Sequence, residues 1–215
     1  MPQRAEITAT LRQQFDKVFL ALQKHGFILL SDSNLPNVSR LAANEPFSGS
    51  WWSHPSARTI FAVNEMLEDH PDVLIMKLIS EKVTFVHRDL WGRIYSIGVA
   101  REDWQTRNLS PAATRLLKKL DGDGWLQTNK LGAEFGPKPG ETVRELEIRL
   151  LLHANQIHTE SGAHAKVVET WDVWAERANF RARPKSPAAA RRFLEERVAE
   201  VIAQFGGAAR LPWPA

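Results

Sequence analysis

The stretch VLIMKLIS, residues 73–80, and the stretch KVTFVH, residues 82–87, decide the fold. Both are rich in β-branched and apolar residues with polar residues at intervals, a composition typical of strands. Only Glu81 lies between them, so the pattern predicts a hairpin with a tight turn. This is the strongest hairpin signal in the chain, and the other elements are placed outward from it.

The residues before this hairpin predict helices and one short strand. They comprise a helix at 6–24 that Gly26 ends, a strand at 27–30, a short helix at 35–43 and a helix that continues to about Asp69. Pro55 is expected in the first turn of this last helix, with Ser53 or His54 as its cap. After the hairpin, residues 90–99 predict a connecting helix. Helix, short strand, helix, longer helix and hairpin is the order of a winged helix-turn-helix unit.

The second half of the chain repeats this order of elements with different residues. Ser110 and Pro111 predict a helix start, and DGDG at 121–124 predicts its end. The elements expected next are a minimal strand at 125–126, a short helix capped by Thr128, a helix at 141–152 and a hairpin formed by 155–160 and 165–169. A last helix begins at Ser186 and Pro187.

The predicted fold class is therefore α+β, with tandem winged helix-turn-helix units and a C-terminal helix. The domain prediction assigns residues 1–100 to the first unit with its connecting helix, 101–180 to the second unit, and 181–215 to a basic helix and tail. A groove is expected where the two units meet.

Two segments resemble the AlkZ-type winged-helix superfamily, which contains bacterial DNA glycosylases. KLISEKVTFVH, residues 77–87, is similar to the hairpin segment of that family, and LSPAA, residues 109–113, resembles the entry to its later winged helix. The similarity extends over residues 73–88 and 109–171. It implies the winged-helix fold and nucleic acid as a partner. The glycosylases carry a Gln-x-Asp pair soon after the first helix, whereas residues 30–35 read LSDSNL here.

Composition excludes several classes of protein. The 215 residues are 43% hydrophobic and 25% charged, which is typical of folded domains and not of disordered chains. With no cysteine, disulfides, thiolate metal sites and cysteine nucleophiles are excluded. Neither a membrane span nor a signal peptide is recognisable, so the expected location is cytoplasmic, with no membrane partner.

The net charge of +3 is unevenly distributed. Residues 1–174 hold 20 basic and 21 acidic side chains, while residues 175–215 hold 8 and 4. The basic residues of the tail flank the last helix and include Arg181, Arg183, Lys185, Arg191, Arg192 and Arg197. They predict either a basic face that attracts a polyanion or a solvated helix surface.

The candidate nucleic-acid contacts are aromatic and basic residues. Adjacent tryptophans before a helix cannot easily share one core, so Trp51 or Trp52 is expected at the surface, where an indole stacks on bases. Basic and polar groups on the two hairpins are candidates for phosphate contacts, and those of the first hairpin are equally well interpreted as charged edge residues that block aggregation between strands. The full candidate set is Trp51, Trp52, His54, Lys77, Lys82, Thr84, His87, Arg88, His158 and Lys166, with double-stranded DNA as the expected partner.

Catalysis is an open alternative. A glycosylase with a relocated catalytic carboxylate would use Glu160 as its candidate, because base excision needs an acid to stabilise positive charge or position water. His153, His158, Glu160 and His164 cluster near the second hairpin, but tip residues of such a hairpin usually face water. We therefore predict no metal site, and in the absence of a Gly-rich phosphate loop we predict no cofactor.

The longer helices of both units are acidic. Residues 141–149 carry three glutamates and two arginines, and residues 58–69 carry three carboxylates and one arginine. A helix that enters the major groove approaches a dense row of phosphates, so base reading by either helix is disfavoured. Acidic helices and an apolar terminal helix favour a third hypothesis, a protein-interaction scaffold that forms a homodimer through the C-terminal helix.

Overall fold

Helices and two small sheets build the protein, as a computed structural model describes it for residues 8–43, 50–136, 138–158, 164–181 and 183–214. Within these ranges the strands form two three-stranded antiparallel sheets. The α+β class is therefore confirmed. No helix in the described ranges combines the length and the hydropathy needed to cross a membrane.

Helix α1, Ala9–His25, begins the described chain. The Thr8 hydroxyl accepts a hydrogen bond from the Leu11 N–H at 3.2 Å and so caps the helix. Gly26 ends it with φ of 80°, a left-handed conformation that costs glycine little. The predicted helix and its stop signal are thus both confirmed.

The first sheet contains β1, Phe27–Leu29, β2, Val73–Ile79, and β3, Lys82–His87. The strand order is β1-β3-β2, and β1 pairs with β3 in the register Phe27 opposite Val86. Ser80 and Glu81 both have positive φ, 50° and 58°, as two-residue hairpin turns with the right twist require. The predicted hairpin is confirmed, and its second strand is the central one.

The start of the third helix differs from the prediction. Helix α2 covers Val38–Ala43, but α3 covers Ala57–Glu68 and is preceded by a separate 3-10 turn at Trp51–Ser53. His54 Nδ1 accepts a hydrogen bond from the Ser56 N–H at 3.1 Å. That bond stabilises a turn through Pro55, so the helix starts two residues after the proline rather than at it.

The second half contains the remaining elements. They are α4 at Trp91–Gly98, α5 at Asp103–Thr106, α6 at Pro111–Asp123, β4 at Trp125–Gln127, α7 at Pro139–Glu147, β5 at His153–His158, β6 at His164–Glu169, α8 at Trp171–Arg177 and α9 at Pro187–Phe205. Ser110 caps α6 by accepting from the Ala113 N–H at 3.1 Å, as predicted.

Two local predictions in this half are wrong. The segment after Thr128 forms two 3-10 turns, Thr128–Lys130 and Ala133–Phe135, and no α-helix. Helix α7 ends at Glu147, because Leu150 adopts a left-handed φ of 56° and its carbonyl accepts the Trp171 indole N–H at 2.7 Å. That tertiary bond holds the chain in a turn where its apolar pattern favours more helix.

The second sheet has the strand order β4-β6-β5, with Trp125 opposite Glu169 and His153 opposite the same residue. In each sheet a three-residue strand lies against the last strand of a hairpin. The helices also follow in matching order, α1 and α3 with the first sheet and α6 and α7 with the second. The order helix, short strand, helix and hairpin thus occurs in both halves, but α2 has no α-helical counterpart between β4 and α7.

Each half has its own core. In the first, α1, α3 and β3 contribute Phe15, Leu22, Ile60, Leu67 and Phe85 to a buried cluster. In the second, α6, α7 and β6 contribute Leu116, Leu120, Val143, Leu146 and Val168. Burial of these faces is the main favourable term in forming each half.

The chain divides into two compact units that are not continuous in sequence. The first unit comprises Met1–Ile75, Lys82–Trp91 and Glu195–Arg210, and the second comprises Met76–Glu81, Gly92–Leu194 and Leu211–Ala215. Helix α9 is therefore shared between the units, whereas the sequence analysis assigns it to a separate segment, 181–215. In the first unit, the Phe205 ring packs edge-on against His25 with centroids 5.2 Å apart.

Candidate nucleic-acid interface

The two adjacent tryptophans of the first unit have different environments. Trp51 is 9% exposed and Trp52 is 65% exposed, and their rings stack with centroids 3.9 Å apart. Phe61 lies 6.0 Å from Trp52 and is also partly exposed. The expectation that one indole reaches the surface is confirmed. The role of Trp51, Trp52 and His54 in contacting nucleic acid stays a prediction.

Two predicted phosphate contacts of the second unit meet at one carboxylate. Lys77 Nζ lies 3.4 Å and Lys166 Nζ 2.7 Å from Glu147 Oε2, and the Glu147 side chain is 7% exposed. Lys77 comes from β2, Lys166 from β6 and Glu147 from the end of α7. The three together carry a net charge of +1, so one of the two lysine charges is compensated within the fold.

The two predicted cations of the first unit are also paired. Lys82 Nζ lies 2.7 Å from Asp32 Oδ2, and Arg88 lies 3.2 Å from Asp72 Oδ1 and 5.2 Å above the Trp91 ring. Burial tends to raise the pKa of Asp32, but hydrogen bonds from Lys82 and from two backbone N–H groups outweigh it and lower that pKa. Asp32 is therefore ionised at neutral pH and holds Lys82.

Thr84 and His87 are predicted contacts that the structure places inside. Thr84 is fully buried, and its hydroxyl donates to the Lys82 carbonyl at 2.9 Å. His87 is also buried, with its ring edge-on to Phe19 at 5.9 Å. Both lie on β3, which has a neighbouring strand on each side. The prediction that these two residues form surface contacts is wrong, because four consecutive residues of β3, 84–87, are buried and both faces of the strand are therefore covered there.

Two candidate residues of the second hairpin, Glu160 and His158, lie at or beyond the limits of the described residues. Glu160 falls outside the described residues. His158 ends β5 with its backbone opposite His164. Across the described ranges, no three His, Asp or Glu side chains are grouped so as to hold a metal ion.

His153 belongs to a buried ion network that sequence reasoning misses. Its Nδ1 lies 2.8 Å from Glu169 Oε1, and Arg177 donates to both oxygens of the same carboxylate, at 2.6 and 3.1 Å. Burial tends to raise the pKa of Glu169, but His153 and Arg177 outweigh it and lower that pKa. Trp171 and Trp174 pack around the imidazole. His153 and Glu169 are buried beside these two tryptophans, and the sequence signal for their pairing is the register of two strands.

A group of exposed basic residues lies instead between α8 and the first turns of α9. We call Arg181, Arg183, Lys185 and Arg192 the basic strip. All four side chains are exposed, and none has a carboxylate partner within the described part of the chain. These residues are among the tail cations that the charge distribution singles out.

The basic strip is fixed at both ends. Before it, Phe180 packs against Trp174 at 5.8 Å and against Tyr95 at 6.5 Å. Within it, the Lys185 N–H donates to the buried Ser96 hydroxyl at 2.8 Å. After it, the Arg93 guanidinium lies 3.5 Å from the centre of the Phe193 ring and adds another positive charge. The cations of the strip are thus held near α4 by ordered contacts.

A cavity elsewhere in the second unit has the opposite charge. It encloses about 400 Å³ and is lined by Asp121, Asp123, Asp172 and Arg101 among others. Arg101 forms a two-pronged ion pair with Asp121, and the Tyr95 hydroxyl donates to Asp172 at 2.5 Å. Three carboxylates against one guanidinium in this lining disfavour the binding of phosphate.

Comparisons of the chain with protein-family models, with curated proteins and with solved structures find no match.

Proposed function

We propose that the protein binds the phosphate backbone of double-stranded DNA, with the basic strip as its main contact. The observation that carries the proposal is the grouping of four exposed cations without carboxylate partners among the described residues, on a segment anchored by Phe180 and Ser96. Exposed cations on an ordered surface release counterions from DNA when they neutralise phosphates, which is the source of affinity in sequence-independent binding.

The scaffold that presents the strip is, in this proposal, a pair of winged-helix units. Support comes from the matching order of helices and strands in both halves and from the equivalent strand orders β1-β3-β2 and β4-β6-β5. The resemblance of residues 77–87 and 109–113 to AlkZ-type proteins points the same way. Because winged-helix domains bind nucleic acids through several surfaces, the scaffold allows a contact outside the usual recognition helix.

Backbone binding is favoured over base reading for two reasons. Helix α7 carries Glu141, Glu145 and Glu147, and α3 carries Glu65 and Glu68, so neither helix is suited to a groove bordered by phosphates. The hairpin lysines Lys77, Lys82 and Lys166 are engaged with Glu147 or Asp32. The basic strip has neither obstacle.

The test is the anisotropy of a fluorescein-labelled duplex titrated with protein at several salt concentrations. The triple variant Arg181→Gln, Arg183→Gln, Lys185→Gln should bind at least about tenfold more weakly at low salt, and its log K against log salt slope should be shallower by about three. The matched control is Lys118→Gln, Lys130→Gln, Lys138→Gln, which removes the same charge from exposed sites elsewhere in the second unit.

The control should keep most of the affinity and the slope. Absence of binding by the unaltered protein at low salt would refute the proposal, and so would an equal loss in both triple variants. Equal loss would mean that net charge, and not the position of the strip, determines binding. Circular dichroism and thermal unfolding of each variant verify that the fold is intact.

A further inference from the structure

The first three cations of the basic strip lie on a connection between two helices. Helix α8 ends at Arg177, and Asn179 then adopts a left-handed φ of 48° that turns the chain away from the helix. Helix α9 begins at Pro187. Between them, the described residues 180, 181 and 183–186 form neither helix nor strand. A single non-helical stretch of chain therefore carries Arg181, Arg183 and Lys185.

Two prolines keep this connection out of a helical conformation. Pro184 and Pro187 lack a backbone N–H, and each disfavours the α region for the residue before it, Arg183 in one case and Ser186 in the other. Residues restricted in this way favour β or polyproline conformation. An extended chain spans at most about 3.6 Å per residue, so the backbones of Arg181 and Arg183 lie within about 7 Å of each other. The strip thus carries two arginines at a short interval on a narrow segment.

A segment of this width suits the minor groove of DNA, which an α-helix is too wide to enter. The minor groove of B-form DNA is about 6 Å wide, whereas an α-helix with its side chains measures about 10–12 Å. A single non-helical chain brings its arginines to so narrow a groove without the bulk of a helix. Arginines on the non-helical arms of other DNA-binding domains contact the minor groove in this way.

The chemistry of arginine determines which base pairs this groove should contain. A guanidinium group has five N–H donors and no acceptor. In the minor groove A·T pairs present only acceptors, adenine N3 and thymine O2, whereas G·C pairs add the amino donor of guanine N2. Runs of A·T pairs also narrow the groove and strengthen its negative potential, which attracts arginine. Side chains that can only donate therefore favour A·T-rich duplexes.

The connection is ordered without a ligand. Phe180 packs against Trp174 and Tyr95 on one side of it, and the Lys185 N–H donates to the Ser96 hydroxyl on the other. A segment that is already ordered loses less conformational freedom on binding than a disordered arm does. The contacts of Phe180 and Lys185 therefore favour binding by the two arginines between them.

We propose that the basic strip binds the minor groove of A·T-rich double-stranded DNA. Arg181 and Arg183 enter the groove, while Lys185 and the exposed Arg192 of α9 neutralise phosphates at its border. This inference rests on the proposed function and deepens it, because phosphates supply the sequence-independent affinity and the groove supplies a preference among duplexes. It requires no base contact from the acidic helices α3 and α7.

The test is the anisotropy of four fluorescein-labelled duplexes of equal length and charge, each titrated with the full chain at one low salt concentration. Their central base pairs are A·T, G·C, inosine·C and diaminopurine·T. Inosine lacks the amino group that guanine places in the minor groove, and diaminopurine adds that group to adenine, while the major-groove pattern is unchanged in both. The A·T and inosine·C duplexes should bind at least about fivefold more tightly than the other two.

Variants that preserve charge assign the preference to residues. Arg181→Lys with Arg183→Lys replaces two guanidinium groups by ammonium groups, which are more strongly hydrated and cost more to bring into a narrow groove. The preference for the A·T duplex should fall below about twofold, while the affinity for the G·C duplex changes less than about twofold. The matched control is Arg192→Lys, the same change at a position assigned to phosphate, and it should keep the full preference. All three positions are exposed.

The outcomes separate this inference from the proposed function. Equal binding of all four duplexes, with an unchanged salt slope, would overturn the minor-groove inference and leave backbone binding in place. Binding of the inosine·C duplex as weakly as the G·C duplex would also overturn it, because the preference would then follow the major groove. Full preference in the Arg181 and Arg183 pair, or an equal loss of preference in Arg192→Lys, would overturn it as well. Failure to bind any duplex at low salt would refute both proposals.

Discussion

His153 and Glu169 face each other across β5 and β6 of the second unit, and their buried side chains meet with Nδ1 2.8 Å from Oε1. Arg177 completes the charge balance of this carboxylate from α8. A buried carboxylate in such a network must stay ionised to keep its partners, so the stability of this unit depends on pH.

The first prediction concerns Glu169. Because its pKa lies below the ordinary value of 4.5, its contribution to stability is fully present above that value and is lost as pH falls through the lowered pKa. Glu169→Gln should lower the free energy of unfolding by about 3 kcal/mol at pH 7, since it leaves two donors poorly matched in the core. The difference from the unaltered protein should shrink in acid. Urea unfolding followed by tryptophan fluorescence at stepped pH measures it.

Glu176→Gln is the matched control for that prediction. It makes the same change at an exposed position of α8 and should alter the free energy of unfolding by less than about 0.5 kcal/mol. A cost for Glu169→Gln that stays constant down to acid pH would contradict the ionised network.

The second prediction concerns two glycines with opposite surroundings. A Cβ on Gly98, at the end of α4, would overlap the indole of the buried Trp171, whereas a Cβ on Gly122, inside α6, has no neighbour within 4 Å. Gly98→Ala should therefore destabilise the protein by about 2 kcal/mol or more. Gly122→Ala should stabilise it by roughly 0.5–1 kcal/mol through helix propensity. Thermal unfolding of the two variants shows which of them is stabilised and which is destabilised. Stabilisation by Gly98→Ala would rule out this packing of Trp171.

The third prediction concerns Tyr95, the single tyrosine of the chain. Burial and the hydrogen bond to the Asp172 carboxylate raise its pKa from 10.0 to about 12. Titration of the tyrosinate absorbance should therefore have its midpoint about two pH units above that of a free tyrosine. Asp172→Asn should bring the midpoint back part of the way, because burial remains. Asp103→Asn, an exposed carboxylate elsewhere in the second unit, should leave it unchanged; a midpoint near 10 in the unaltered protein would contradict the bond.

The fourth prediction concerns Glu147, which holds Lys77 and Lys166. Glu147→Gln should cost about 1–3 kcal/mol of unfolding free energy, because two partly buried ammonium groups lose their counter-charge. The cost should persist in roughly 1 M salt, since a buried carboxylate is screened far less than a surface one. Glu141→Gln, on an exposed turn of the same helix, should be near neutral. Chemical unfolding at low and high salt measures the free energy of unfolding of both variants. An equal loss in Glu147→Gln and Glu141→Gln would mean that Glu147 does not hold the two lysines together.

Elements with local signals could be predicted from the sequence. The hairpin at 73–87 has two runs of strand formers separated by Glu81, and the start of α6 has a serine cap followed by proline. Such signals depend on neighbours along the chain, so they are readable without the fold. The start of α3 and the end of α7 are different, because the His54 turn and the Trp171 bond to Leu150 override the apolar pattern.

The candidate site was less accessible to sequence reasoning. From the sequence alone, a lysine on a strand is a candidate for a phosphate contact, because its acidic partner cannot be recognised. The partner of Lys82, Asp32, is 50 residues away in the chain. Thr84 alternates with Lys82 like a surface residue, but Thr84 and His87 are both buried, one on each face of β3. The tail cations were visible as a charge excess, whereas their anchoring by Ser96 requires the tertiary fold.

Helix α9 has a consequence for how the protein is made. Its segment Glu195–Arg210 belongs to the unit that starts the chain, while nearly all of the other unit is translated between them. Most of the first unit therefore emerges from the ribosome before one of its helices has been synthesised. That unit reaches its final packing only after the second unit has emerged. Nascent chains stalled before residue 195 are expected to contain a first unit that proteases cleave readily and a chaperone recognises.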